Sequence, residues 1–127
     1  MNIFSSTPLR ISLFGGGTDM PEYFSKHGSK ILSFAIDKFV RVEFRNVPMF
    51  SKINYRFVYS KTESLYSFEN SNNPVFKNIF SFTKSKKVFG EYIYQSDLPS
   101  MSGVGSSSAF TISMLNLLNY LKKIKKI

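Results

Sequence analysis

The chain contains no cysteine. That excludes a disulfide framework and any thiolate-held metal. Acidic residues are scarce, 8 against 17 basic ones, leaving a formal net charge of +9. No apolar run approaches the roughly 20 residues that a membrane-spanning helix needs. Residues 1–6 are too short and too uncharged to read as a secretory leader. A soluble, cytoplasmic protein that does not engage a membrane is the expectation. Apolar material, by contrast, is plentiful. Hydrophobic residues make up 43% of the 127, and 14 of them are Phe, so a mainly disordered chain is excluded. The length suits one domain spanning residues 1–127 and not two.

The positive balance fits an anionic partner, whether nucleic acid, a membrane surface or a phosphorylated metabolite. Lys84, Lys86, Lys87, Lys122 and Lys123 fall in two lysine-rich patches, and Lys125 and Lys126 extend the second. Runs of this kind are ordinarily solvated faces, so charge alone assigns no partner.

Hydrophobic spacing divides the chain into strands and helices. Leu9, Ile11 and Leu13 alternate with Arg10 and Ser12, which predicts a strand over residues 5–13. Residues 31–44 form a second strand candidate in which Phe39, Val40, Val42 and Phe44 interleave with Lys38, Arg41 and Glu43, and Pro48 interrupts it. Ile53, Tyr55, Phe57 and Tyr59 share one face of a third, and residues 88–95 form a fourth. Pro21 and Gly28 bracket a short helical turn, as those residues do at helix starts and ends. Pro74 opens a helix over residues 74–84 behind an Asn-rich loop. From Ser107 onward Phe110, Met114, Leu117, Leu118, Leu121 and Ile124 recur at helical spacing. This is the strongest helix, and the sequence shows no further strand to cover its stripe.

Two loops carry the chemistry. In the first, Gly15-Gly16-Gly17-Thr18-Asp19 follows the strand that holds Arg10. Glycines there let a ligand approach the backbone. Asp19 can accept hydrogen bonds from sugar hydroxyls, and Arg10 can steady a phosphate. The plain alternative is a glycine turn with an Arg–Asp surface pair. In the second, Asp97-Leu98-Pro99-Ser100-Met101-Ser102-Gly103-Val104-Gly105-Ser106-Ser107-Ser108-Ala109-Phe110 leads from a strand into the long helix. Loop amides, the unpaired N–H groups of a first helical turn and the helix dipole then converge, which suits an anion. The serine hydroxyls can donate to phosphate or ligate magnesium. No Gly-Lys-Ser/Thr occurs, so this is not a Walker loop. Ser108 stands where a dinucleotide fingerprint needs its third glycine. A flexible Gly/Ser linker is the alternative, but linkers lack such patterned flanks.

Pro99-Ser100-Met101-Ser102-Gly103-Val104-Gly105-Ser106-Ser107-Ser108-Ala109 resembles the second conserved motif of the GHMP kinases. Pro8 to Pro21, with Arg10 and the glycine triplet, is similar to the N-terminal signature of the branch that includes heptose 7-phosphate kinases and related sugar-1-kinases, as is Ala35-Ile36-Asp37-Lys38. The resemblance implies an α+β fold, the ribosomal protein S5 domain 2-like N-terminal domain of these enzymes. It implies transfer of the ATP γ-phosphoryl group to the anomeric hydroxyl of a sugar, D-glycero-D-manno-heptose 7-phosphate being favoured, with Mg2+. Gly103, Val104, Gly105, Ser106 and Ser108 match the phosphate loop, Ser107 the magnesium-ligating position, and Arg10 an arginine beside the transferred group. Asp19, with Gly16, Gly17 and Thr18, matches the sugar site. Such kinases are more than twice as long. Their catalytic base, acidic metal ligand and third glycine motif lie beyond residue 127. A truncated, inactive fragment is therefore expected. Nucleic acid is not an expected partner, although Arg41 to Tyr59 interleaves aromatics and cations as a basic RNA-binding module does.

Overall fold

The computed structural model describes residues 1–47, 52–99 and 102–125. Pro48, Ser100, Met101, Lys126 and the side chain of Lys125 lie outside the described residues. Alternation in the first half of the chain produces two long strands, β1 (Asn2–Phe14) and β2 (Leu32–Arg45), paired antiparallel from Asn2↔Arg45 to Phe14↔Leu32. Between them lies a short helix, α1 (Pro21–His27), opened by its Pro and ended by Gly28, as the sequence predicts. β3 (Tyr55–Val58) and β4 (Thr62–Leu65) make a hairpin. β5 (Gly90–Ser96) inserts between that hairpin and β2, antiparallel to β2 and parallel to β3. The sheet order is β1-β2-β5-β3-β4. The β4 strand carries no sequence prediction, because Thr62-Glu63-Ser64-Leu65 shows too little apolar alternation.

α2 (Pro74–Phe82) begins where Asn73 Oδ1 accepts the Phe76 N–H at 3.0 Å. It ends two residues before the predicted boundary. There Thr83 Oγ1 donates to the Ile79 carbonyl at 2.7 Å and Lys84 turns to φ +53, which stops the helix. α3 (Ser106–Lys125) is the long helix. Lys122 Nζ donates to the Thr83 carbonyl at 2.7 Å, so one cation of the lysine-rich end ties α3 to the end of α2.

The stripe on α3 has a cover, which corrects the sequence expectation. Met114, Leu117, Leu118 and Leu121 are buried with Leu9 of β1 and Val40, Val42 and Phe44 of β2 in one core. The covering strands come from the far end of the chain, so local periodicity cannot reveal them. Ser113 Oγ donates to Thr7 Oγ1 at 2.7 Å, which satisfies the polar residue in this interface. Ile124 is 46% exposed and lies outside the core. Ile11 and Leu13 are exposed as well, because β5 pairs only with residues 40–45 of β2 and, among the described residues, no third strand joins the outer β1–β2 ribbon.

Aromatic rings extend the same core beneath α2. Phe57 stacks on Phe76 at 4.4 Å, and Tyr55 and Tyr92 meet Phe80 edge-on at 5.5 and 5.3 Å. Both phenols keep an acceptor: Tyr55 OH donates to the Lys86 carbonyl and Tyr92 OH to that of Val88. Burial, then the charge of Glu69, pushes the Tyr55 pKa up to about 12. Burial likewise raises Tyr92 well above the ordinary phenol value.

Truncating the stripe at Leu118→Ala is expected to cost about 2–5 kcal/mol of unfolding free energy, as buried Leu→Ala changes do. Ile124→Ala should stay within about 0.5 kcal/mol. Urea denaturation of both variants checks this; equal losses would refute the assigned burial.

Candidate functional site

The second loop leaves β5 from a fixed point. Asp97 N donates to the Phe39 carbonyl at 2.9 Å, and its carboxylate accepts from Phe39 N at 2.8 Å and from Arg41 Nη1 at 2.5 Å. The Arg41 guanidinium, then the Phe39 N–H, holds the Asp97 carboxyl below its usual value. Farther on, Ser102 Oγ donates to the Pro99 carbonyl at 2.8 Å. The chain then crosses β1, where Arg10 N donates to the Val104 carbonyl at 3.0 Å. The first helical hydrogen bond of α3 runs from Ala109 N to Gly105 O at 3.0 Å. The amides of Gly105, Ser106, Ser107 and Ser108 therefore have no acceptor within the helix. No acidic residue occupies the first turn. The dipole and the free amides together favour an anion at this end.

Gly103 and Gly105 carry φ of +73 and +74, the left-handed conformation that side chains disfavour. At Gly105 space is limiting too. A Cβ there would stand 3.2 Å from Arg10 Cγ, 3.4 Å from Nε and 3.6 Å from Cζ. The Arg10 side chain is thus laid against the loop at the mouth of α3. Its Nη1 donates to Ser12 Oγ at 2.7 Å, and among the described residues no carboxylate pairs with it. A half-buried guanidinium without an acid partner is available to an anionic ligand.

The first loop forms its own turn. Gly16–Thr18 is a 3-10 turn in which Thr18 N and Thr18 Oγ1 both donate to the Gly15 carbonyl, at 3.0 and 2.8 Å. The Thr18 hydroxyl also shares a 2.9 Å hydrogen bond with that of Ser29. Gly16, Gly17 and Asp19 are exposed. Arg10 and Asp19 do not form the surface pair that the sequence left open, since no ion pair joins them among the described residues. Ser12 links the two regions: its hydroxyl holds Arg10, and its side chain lies beneath Gly16, whose added Cβ would sit 3.5 Å from Ser12 Cβ. Nothing in the sequence singles Ser12 out, because a serine in an alternating strand reads as its solvent face.

Beside Ser106 and Ser107 opens a cavity of about 460 Å3, lined also by Tyr59, Ser60, Asn73, Val75, Tyr94 and Phe110. That size lies within the roughly 300–1,000 Å3 range of small-molecule sites. Sequence reasoning missed this wall. Tyr59 read as one face of a strand and Asn73 as loop, and only the sheet order brings β3, β5, α2 and α3 to one place. The three arginines of residues 41–59 are engaged with acids: Arg41 pairs with Asp97, and Arg45 and Arg56 both lie against Glu91.

No protein-family model matches the chain. It is 28% identical over 127 aligned positions to the D-glycero-alpha-D-manno-heptose 7-phosphate kinase of Campylobacter jejuni, covering 89% of this chain and 36% of that protein. Its fold matches a D-glycero-D-manno-heptose 1-phosphate kinase from Bacteriodes thetaiotaomicron with a TM-score of 0.75, at 20% identity, over 96% of this chain and 42% of that one. It matches the Methanococcus jannaschii mevalonate kinase with a TM-score of 0.68, at 18% identity, over 94% of this chain and 40% of that one. The chain has the N-terminal fold of the GHMP kinases. It spans well under half the length of these relatives.

Within this fold the loop amides and Arg10 together suit an anion. The fit to magnesium is partial. Ser107 offers an exposed hydroxyl on the first turn of α3, but among the described residues no group of three or more His, Asp or Glu is placed to hold a metal. Substrate phosphates ordinarily supply much of a magnesium shell.

Gly105→Ala places a side chain in a left-handed backbone against Arg10. A loss of roughly 1–2 kcal/mol in urea-derived stability is expected from the backbone term. Gly17→Ala, whose Cβ meets nothing within 4 Å, should change little. Equal effects at the two positions would contradict the packing described.

Proposed function

We propose that the chain is the nucleotide-binding part of an ATP-dependent sugar kinase of the GHMP type. The observation that carries the reading is the meeting of Arg10 with the amide-lined mouth of α3, held by the Arg10 N–H to Val104 carbonyl bond. In phosphoryl transfer, positioning and charge neutralisation do most of the work. Gly103, Val104, Gly105, Ser106 and Ser108 line the phosphates, and the amides of residues 105–108 donate to their oxygens. The cavity beside Ser106 and Ser107 takes the nucleoside, between the rings of Tyr59, Tyr94 and Phe110. Arg10 neutralises charge developing on the γ-phosphoryl group as it leaves ADP for the anomeric hydroxyl of the acceptor. Magnesium, when bound, screens phosphate charge, with Ser107 offering one hydroxyl to it.

The acceptor side is the Gly16–Thr18 turn and Asp19. The exposed carboxylate accepts hydrogen bonds from sugar hydroxyls, Thr18 fixes the turn, and Gly16 and Gly17 let the sugar approach the backbone. The acceptor class is a sugar or sugar phosphate. D-glycero-D-manno-heptose 7-phosphate is favoured by the similarity to the Campylobacter jejuni heptose 7-phosphate kinase and by the glycine triplet, and the net charge of +9 suits a phosphorylated substrate. The compartment is the cytoplasm, where ATP is found. Among the described residues no helix is long and apolar enough to cross a membrane.

Calorimetric titration of the 127-residue chain with ATP tests the reading. Saturable binding is expected, with Arg10→Ala weakening it about tenfold or more, the size of a lost charge-assisted hydrogen bond. No binding, or equal binding by the variant, overturns it.

A further inference from the structure

Glu63 is the only carboxylate-bearing residue buried among the described residues. It sits on the edge strand β4, opposite Phe57 of β3, and does not itself line the cavity. Its two oxygens collect three donors from two regions. Ser71 Oγ donates to Oε2 at 2.5 Å, while Tyr59 OH and Asn72 N donate to Oε1 at 3.0 and 3.1 Å. Ser71 Oγ in turn accepts the Asn73 N–H at 3.1 Å, and Asn73 Oδ1 caps α2. Among the described residues no cation neutralises it.

A buried carboxylate without a counter-charge is a poor way to stabilise an edge strand, since an apolar residue there avoids the desolvation cost. Its hydrogen bonds do something an apolar residue cannot. They join the end of β3 to the loop before α2, and the two residues held in this way, Tyr59 and Asn73, both line the cavity beside Ser106 and Ser107. The Tyr59 ring is fixed at its other face by stacking on Phe57 at 4.8 Å. Burial acts to raise the Glu63 pKa, but the hydrogen bonds from Ser71, Tyr59 and Asn72 outweigh it and hold the net value below normal. The group is therefore ionised at neutral pH and accepts from all three donors.

We infer that Glu63 is a positioning residue for the nucleoside end of the site: its carboxylate sets Tyr59 and Asn73 as one wall of the cavity, and so governs affinity for the part of the nucleotide beyond the phosphates. This rests on the nucleotide reading above. Glu63 touches no ligand; it acts through the two residues that do.

The test uses the whole chain and two probes, ATP and inorganic tripolyphosphate, with Glu63→Gln, Tyr59→Phe and the double variant. Tripolyphosphate engages only the loop and Arg10, so it reports on the phosphate half alone. Glu63→Gln should weaken ATP about tenfold and leave tripolyphosphate within about twofold, corresponding to roughly one lost hydrogen bond to a charged group. Tyr59→Phe removes only a hydroxyl, so it folds even where Glu63→Gln does not, and it too should weaken ATP selectively. The double variant should lose no more than the worse single one, because both break the same link. ATP affinity unchanged in both single variants, additive losses, or equal weakening of both probes overturns the inference. A wild-type chain that binds tripolyphosphate but not ATP removes the nucleoside site and this inference with it. A wild-type chain that binds neither overturns the phosphate reading first.

Discussion

One backbone hydrogen bond, from Arg10 N to the Val104 carbonyl at 3.0 Å, ties the first strand of the chain to a loop almost a hundred residues later. It does more than close a contact. It places the side chain of the same Arg10 against Gly105, and it fixes the point from which α3 begins. Without it the glycine loop would still join a strand to a helix, but the Arg10 side chain would not be held beside the free amides of the first turn. The left-handed glycines on either side of Val104 reflect that constraint, since the chain must turn sharply to present this carbonyl to β1 and then enter the helix.

The rest of the fold holds the two ends of this link rigid. α3 buries Met114, Leu117, Leu118 and Leu121 over β1 and β2, so the helix cannot slide relative to the strand that carries Arg10. At the other end, Asp97 clamps the exit of β5 to Phe39 and Arg41 of β2. The aromatic cluster under α2 performs the same service for the cavity wall, and Glu63 extends it to Tyr59 and Asn73 through hydrogen bonds in place of packing. A half made of free backbone amides thus adjoins a cavity walled by side chains.

Local signals in the sequence carry the strands with apolar alternation, the proline-opened helices and the glycine loops. Pro21, Gly28 and Pro74 mark boundaries that the structure keeps. Three things were not legible, and each is non-local. The cover for the α3 stripe comes from β1 and β2. The exposure of Ile11 and Leu13 depends on how far β5 extends along β2. Tyr59, Asn73, Tyr94 and Phe110 gain a shared role only through the sheet order. Arg10 and the Gly103 to Ser108 stretch could be picked out as candidates from residue type and spacing. Their meeting, and the part Ser12 plays in it, required the fold.

On the proposed function, the amides at the mouth of α3 and Arg10 act together as one anion site. Backbone and arginine Nε resonances of the 15N-labelled chain, tracked during titration with ADP, test it most directly. The account predicts that the largest shifts fall on Gly105, Ser106, Ser107, Ser108 and the Arg10 Nε–H. Shifts confined to the lysine patches around Lys84, Lys86 and Lys122, with those amides unmoved, would contradict it.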